Sequence, residues 1–176
     1  MDLLSRAKRL APPCLAIAIV LSAAPARAQI FSPGKLAAPH ATWDSLQSCD
    51  LCHTGKSQVE ERLCLDCHKP LAARLKANAG YHARKDVREK RCEVCHTDHK
   101  GRDTKMIKWP GQRKEAFPHA EAGWPLNGGH AKVACDKCHG LTQLYSPAVS
   151  SYLAQHKVAQ SWLGLPTACA PCHFDE

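Results

Sequence analysis

The chain has 176 residues, which is enough for one domain or two small ones. It contains only three Phe, three Tyr and four Trp, so an apolar core of ordinary size is difficult to build from its side chains alone. The formal net charge is +8, but Lys and Arg in this proportion are more typical of a solvated surface than of a nucleic-acid site, and no nucleic-acid partner is expected.

Residues 1–28 have the three parts of an export signal. A positively charged start at 6–9 precedes the apolar stretch 15–21, and residues 26–28 read Ala-Arg-Ala, an A-x-A cleavage site. The apolar stretch is too short to span a membrane comfortably, although an uncleaved anchor is the alternative. We therefore predict a mature chain 29–176 without a membrane span, exported to a bacterial periplasm, with the cell surface as the second choice.

The pentapeptide Cys-x-x-Cys-His occurs five times after this leader. Its cysteines are Cys49, Cys52, Cys64, Cys67, Cys92, Cys95, Cys135, Cys138, Cys169 and Cys172. The histidines that follow them are His53, His68, His96, His139 and His173. Two thiols at this spacing can add to the two vinyl groups of one haem, while the histidine binds the iron, which is the attachment signature of c-type haem. Zinc sites and redox pairs do not need a histidine after every cysteine pair, so five covalent haem c groups are predicted.

Five haems would supply the apolar surface that the side chains lack. We therefore expect a mostly irregular, haem-wrapped fold with short α-helices and little β structure in residues 29–176. The haem-free protein is expected to be largely unfolded.

The elements near the first two motifs are short. These motifs begin 15 residues apart, so their haems should be close neighbours. Between them, Ser57 and Glu60 have the spacing of a capping box that opens a short helix. After the second motif, Pro70 and Gly80 bracket a predicted two-turn helix over 71–79.

The later part of the chain is expected to be less regular. Residues 29–42 predict an irregular segment, and a Gly- and Pro-rich loop at 100–130 is the best candidate for a boundary between two haem clusters. A helix is predicted over 150–163, with His156 on it and Pro166 ending it before the fifth motif.

The remaining histidines decide what kind of haem protein this is. They are His40, His82, His99, His119, His130 and His156. A second axial position on each iron can be filled by His or Met, or left open. Met106 is the single methionine after the leader, so six histidines for five irons favour bis-histidine ligation with one to spare.

The surroundings of several of these histidines resemble a known family. His99 follows the third motif closely, His119 lies in Phe-Pro-His, and His130 precedes the fourth motif as Gly-His-x-x-x-x-Cys-x-x-Cys-His. In these forms the chain resembles the class III multihaem cytochromes c, small periplasmic electron carriers, and their longer relatives. The resemblance implies closely stacked bis-histidine irons. It marks as distal ligands His40, His82, His99, His119 and His130, with His156 next. It does not imply which distal histidine serves which haem.

The fifth motif leaves two alternatives open. His173 is followed by Phe-Asp-Glu, where the third motif continues to His99. Either the fifth haem takes its ligand from upstream, as His156 could provide, or the chain is a pentahaem front part of a longer multihaem cytochrome.

The expected function is low-potential electron transfer. Two imidazoles saturate each iron, so no catalytic residue is predicted, and the expected partners are a membrane quinol or dehydrogenase donor and a terminal reductase or outer-membrane conduit. One alternative is a reductase of a small nitrogen or sulfur oxyanion with one open haem. Another is a haem-bearing segment of a larger complex or filament, in which the chain would self-assemble.

Overall fold

The computed structural model describes residues 32–55, 58–141 and 144–173, so the predicted leader lies outside the described residues. Within them the α-helices are α1 Glu61–Cys67, α2 Lys69–Lys76, α3 Lys85–Arg88, α4 Cys92–Cys95, α5 Asp136–His139 and α6 Pro147–His156. Short 3-10 helices are Ala38–Trp43, Leu46–Leu51, Tyr81–Ala83, Pro110–Gln112, Lys114–Ala116, His119–Ala122 and Gly128–Lys132. None of these helices is long and apolar enough to cross a bilayer.

The β structure in the described part of the chain is one small antiparallel sheet. Strand β1 is His53–Thr54 and strand β2 is Gln58–Val59, with His53 opposite Val59. The expectation of short helices, irregular connections and little β structure is therefore confirmed. Residues 33–176 group into one unit, and a boundary within 100–130 stays a prediction.

The helix predicted after the second motif is present as α2, shifted toward the N-terminus. Pro70 occupies its first turn, where a missing backbone N–H costs no hydrogen bond. The helix ends at Lys76, before Gly80, which has a φ of +81°.

The predicted capping box is wrong. Helix α1 begins at Glu61, and Glu60 is itself the N-cap residue, in an extended conformation. Its carboxylate accepts hydrogen bonds of 2.6 Å from the Thr54 hydroxyl and from the Arg62 guanidinium, which also lower its pKa. Ser57, the other half of the proposed box, lies outside the described residues.

The last helix differs from the predicted range 150–163 at both ends. Ser146 caps α6 and Pro147 is its first residue, so a Ser-Pro start signal lies upstream of the predicted start at residue 150. The helix ends at His156, because Lys157 adopts a left-handed conformation with a φ of +53°. His156 is therefore on this helix, as predicted, but at its last residue rather than inside it.

The polypeptide core is small. Of the described residues only Ala37, Tyr145, Val149 and Leu153 are buried, and the last three form a cluster made by α6 and the tyrosine just before it. A chain of this length normally buries a far larger share of its apolar side chains.

Two segments distant in sequence are joined into a clamp, which we define as residues 34–44 and 98–102. The Arg102 guanidinium donates to the Leu36 carbonyl at 2.6 Å and pairs with the Asp44 carboxylate at 2.5 Å. Two backbone hydrogen bonds of 3.0 Å connect the same segments. The clamp carries two of the predicted distal histidines, His40 and His99.

Candidate functional site

Each motif histidine faces one histidine from outside the motifs. The distances between ring centroids are 6.1 Å for His53–His99, 6.1 Å for His68–His40, 6.0 Å for His96–His82, 6.4 Å for His139–His119 and 5.9 Å for His173–His130. The five motif histidines are thus matched one to one with five of the six others.

The separation suits a metal ion between the two rings. Imidazole nitrogens bind a metal at about 2 Å, which places the centres of two coaxial rings roughly 6 Å apart. Ordinary aromatic pairs cover the same range, so the distance alone is not diagnostic. The informative observation is that every pair joins a motif histidine to a histidine predicted as a distal ligand.

Hydrogen bonds fix the orientation of several of these rings through Nδ1. His99 donates to the Gly34 carbonyl at 2.9 Å, His96 to the Met106 carbonyl at 2.7 Å, and His119 to the Phe117 carbonyl at 3.0 Å. A carbonyl only accepts, so the proton is on Nδ1 and the lone pair is on Nε2. This tautomer is the one that a histidine ligand requires.

The pair His40–His68 has stronger partners. His40 Nδ1 lies 2.8 Å from an Asp98 carboxylate oxygen, and His68 Nδ1 lies 2.9 Å from the Tyr152 hydroxyl. Burial raises the pKa of Asp98, but hydrogen bonds from the Ala37 amide, the His40 ring and the backbone amide that follows outweigh it and leave the pKa lowered. Asp98 is therefore a charged acceptor.

The electrostatics of three pairs favour neutral imidazole. Burial lowers the pKa of His68, His82 and His139, and in each case the facing histidine of the pair lowers it further. A backbone group of Ser161 partly opposes the shift at His139. Metal binding needs the unprotonated ring, so these environments suit ligation.

Four of the five cysteine motifs form a single helical turn. In these four the histidine amide donates to the carbonyl of the first cysteine at 2.8–2.9 Å, as in His96 to Cys92. Residues three apart on such a turn share a face, so the two sulfurs can reach one ligand edge. The first motif differs, because a 3-10 helix ends there and His53 begins β1. The thiols are free cysteines in the described residues.

Thiols of neighbouring motifs are close enough to affect each other. Burial raises the pKa of Cys64 to about 11, and Cys92 of the third motif contributes. Burial likewise raises the pKa of Cys52, with a contribution from Cys67. The expected proximity of the first two motifs fits this interaction, and the second motif is also adjacent to the third.

The thiols of the fourth and fifth motifs are also close enough to affect each other. Burial raises the pKa of Cys138, and Cys172 adds to that shift. Among the described residues, these thiol interactions link the first three motifs, which we call the upstream group, and link the fourth motif with the fifth, which we call the downstream group.

Aromatic rings connect these two groups. Phe117 lies 5.2 Å from Tyr81 and 5.1 Å from His119, measured between ring centroids. Tyr81 lies 6.1 Å from His82. Tyr81 and Phe117 therefore connect the third histidine pair with the fourth through ring contacts. The Phe-Pro-His sequence indicated His119, but it gave no signal that Phe117 contacts a distant tyrosine.

His156 is the histidine left without a motif partner among the described residues. Its ring lies 4.5 Å from Tyr152 and 6.4 Å from Trp43. The ring opposite His173 is that of His130, so the upstream partner of the fifth motif differs from the one suggested at the sequence level.

The sites are pairs of rings beside cysteine pairs, and the described ranges contain no group of three or more His, Cys, Asp or Glu side chains placed to hold a bare metal ion. Two thiols on one face and two opposed imidazoles are the donor set that haem c requires, so the residues fit that group. Comparisons with models of protein families, curated proteins and solved structures find no significant match to this chain.

Proposed function

We propose that this chain is an exported electron carrier that holds five c-type haems, each attached by one cysteine pair and ligated by two histidines. The observation that carries the proposal is the one-to-one matching of the five motif histidines with five others at 5.9–6.4 Å. Chance packing of eleven histidines gives no reason for every pair to contain one member of each class.

The residues of the chain have three tasks in this function. The thiols would anchor haem, the two imidazoles of each pair would bind its iron, and the acceptors found at several Nδ1 atoms keep Nε2 available for that. When bound, haem supplies reversible one-electron chemistry at its iron. Histidine on both faces gives a lower potential than a histidine–methionine pair, so low-potential carriage is proposed.

The proposed partners are redox proteins: a membrane quinol or dehydrogenase donor, and a terminal reductase or outer-membrane acceptor. Export of the chain to the periplasm fits covalent haem attachment and the form of residues 1–28. Close spacing of the motif groups supports transfer between neighbouring haems within one molecule.

A pyridine haemochrome assay on the purified native protein tests the haem count. Five haems per chain are expected, and a count far below five contradicts the proposal. Carbon monoxide added to the reduced protein then tests the axial sites. An unchanged Soret band is expected from five closed irons, whereas a shift equivalent to one haem favours the alternative of a reductase with an exchangeable ligand.

A further inference from the structure

We infer that Asp98 is a shared positioning residue, which orients the distal ligands of the first and second haems and lowers the potential of the second. The inference rests on the proposed function, since it concerns ligands of haems bound to His53 and His68. It is carried by the contacts of a single carboxylate inside the clamp.

Both oxygens of Asp98 are engaged. One accepts hydrogen bonds from the Ala37 amide at 2.6 Å and the His99 amide at 2.8 Å. The other lies 2.8 Å from His40 Nδ1. The Asp98 side chain is only 17% exposed, so water competes weakly for these contacts.

The contact with His40 is chemically distinct from those of the other ligand rings. His96, His99 and His119 donate to neutral backbone carbonyls, whereas His40 donates to a carboxylate. A charged acceptor makes a stronger hydrogen bond and increases the electron-donating power of the imidazole. Greater donation stabilises the ferric state, which lowers the midpoint potential of the haem that His40 serves.

The contact with His99 holds an unfavourable backbone conformation. His99 has a φ of +59°, in the left-handed region that non-glycine residues seldom adopt. The Asp98 carboxylate fixes its amide, and the Gly34 carbonyl fixes its ring. A Cβ at Gly34 would lie 2.6 Å from the His99 carbonyl oxygen, so this approach depends on glycine. Asp98 therefore positions His99 through the backbone while it polarises His40 through the ring.

The test is Asp98→Asn in the native holoprotein, followed by spectroelectrochemical titration and electron paramagnetic resonance. The amide is neutral and cannot accept on both sides, so one midpoint potential is expected to rise more than the other four. The resonance of a second haem should also shift as His99 is released. His40→Met, assayed separately, identifies which of the five potentials belongs to the second haem.

Asp44→Asn is the matched control. It removes the same charge from the same clamp, but Asp44 pairs with Arg102, and in the part of the chain that the structure describes its carboxylate has no hydrogen bond to a ligand ring. If Asp98→Asn and Asp44→Asn each bind five haems and have the same five midpoint potentials, the inference is overturned and the proposed function stays intact. A native protein that lacks the haems contradicts the proposed function instead.

A measurement on the unaltered protein covers the case in which Asp98→Asn does not fold. In the fully reduced, nitrogen-15-labelled holoprotein, the His40 Nδ1 proton is expected furthest downfield among the ligand histidines. If the His40 Nδ1 proton has the same chemical shift as the Nδ1 protons that are donated to carbonyls, the carboxylate contact is absent and the inference fails.

Discussion

The histidines of the clamp and those of the fifth pair are held in different ways. In the clamp, contacts bridge residues far apart in sequence, such as His40 with Asp98 and Arg102 with Leu36. His130 and His173 are both exposed, and within the described ranges neither ring has a hydrogen bond to another residue. The polypeptide thus supports the histidines of the first two sites with its own contacts, whereas on the proposed function the fifth site would depend more on haem to hold its histidines together.

The largest expected effect is that of withholding haem altogether. A haem-free chain should show no cooperative thermal transition by circular dichroism, because its polypeptide core is too small. Hydrogen exchange should find its residual protection in the clamp and almost none near the fifth motif. A sharp transition without haem, or equal protection in both regions, would remove the distinction drawn between them.

Replacement of the distal ligand of the fifth site has the next largest expected effect. His130→Met should raise one midpoint potential by on the order of 0.1 V or more, since axial ligands set haem potentials over about 0.8 V. The other four midpoint potentials should change little, because no hydrogen bond in the described residues links the His130 ring to another site. An unchanged redox titration would show that His130 is not a ligand.

A pair of glycine substitutions compares the two regions directly. Gly34→Ala should destabilise the holoprotein by about 1–3 kcal/mol, because its Cβ would overlap the His99 carbonyl and the clamp must open. Gly129→Ala, beside His130, meets nothing within 4 Å and should change stability little. Thermal unfolding of both variants measures the difference. If Gly129→Ala lowers the free energy of unfolding as much as Gly34→Ala does, the clamp is not the better supported of the two regions.

The smallest effect is expected at the unmatched histidine. His156→Ala should leave five haems bound and their potentials nearly unchanged, since the ring packs against Tyr152 and Trp43 and the nearby motif histidine, His68, is already paired with His40. Loss of a haem, or a large shift in one potential, would mean that His156 is a ligand and that one of the five pairs is misassigned.

The sequence was informative where the signal was local. The Cys-x-x-Cys-His motifs and helix α2 each depend on residues within a few positions of one another. The Ser146-Pro147 start of α6 is equally local, although the predicted helix began only at residue 150. The pairing of His40 with His68 and of His99 with His53 could not be predicted, because His40 and His99 are held in the clamp, which joins segments about sixty residues apart. No local periodicity records such a contact.

The ring contacts of Phe117 bear on the path that electrons would take in the proposed function. On that function, Tyr81, Phe117 and His119 would lie between the third and the fourth site, where the upstream group of motifs meets the downstream group. Electrons that enter at an upstream site and leave at a downstream one would then pass close to these three side chains.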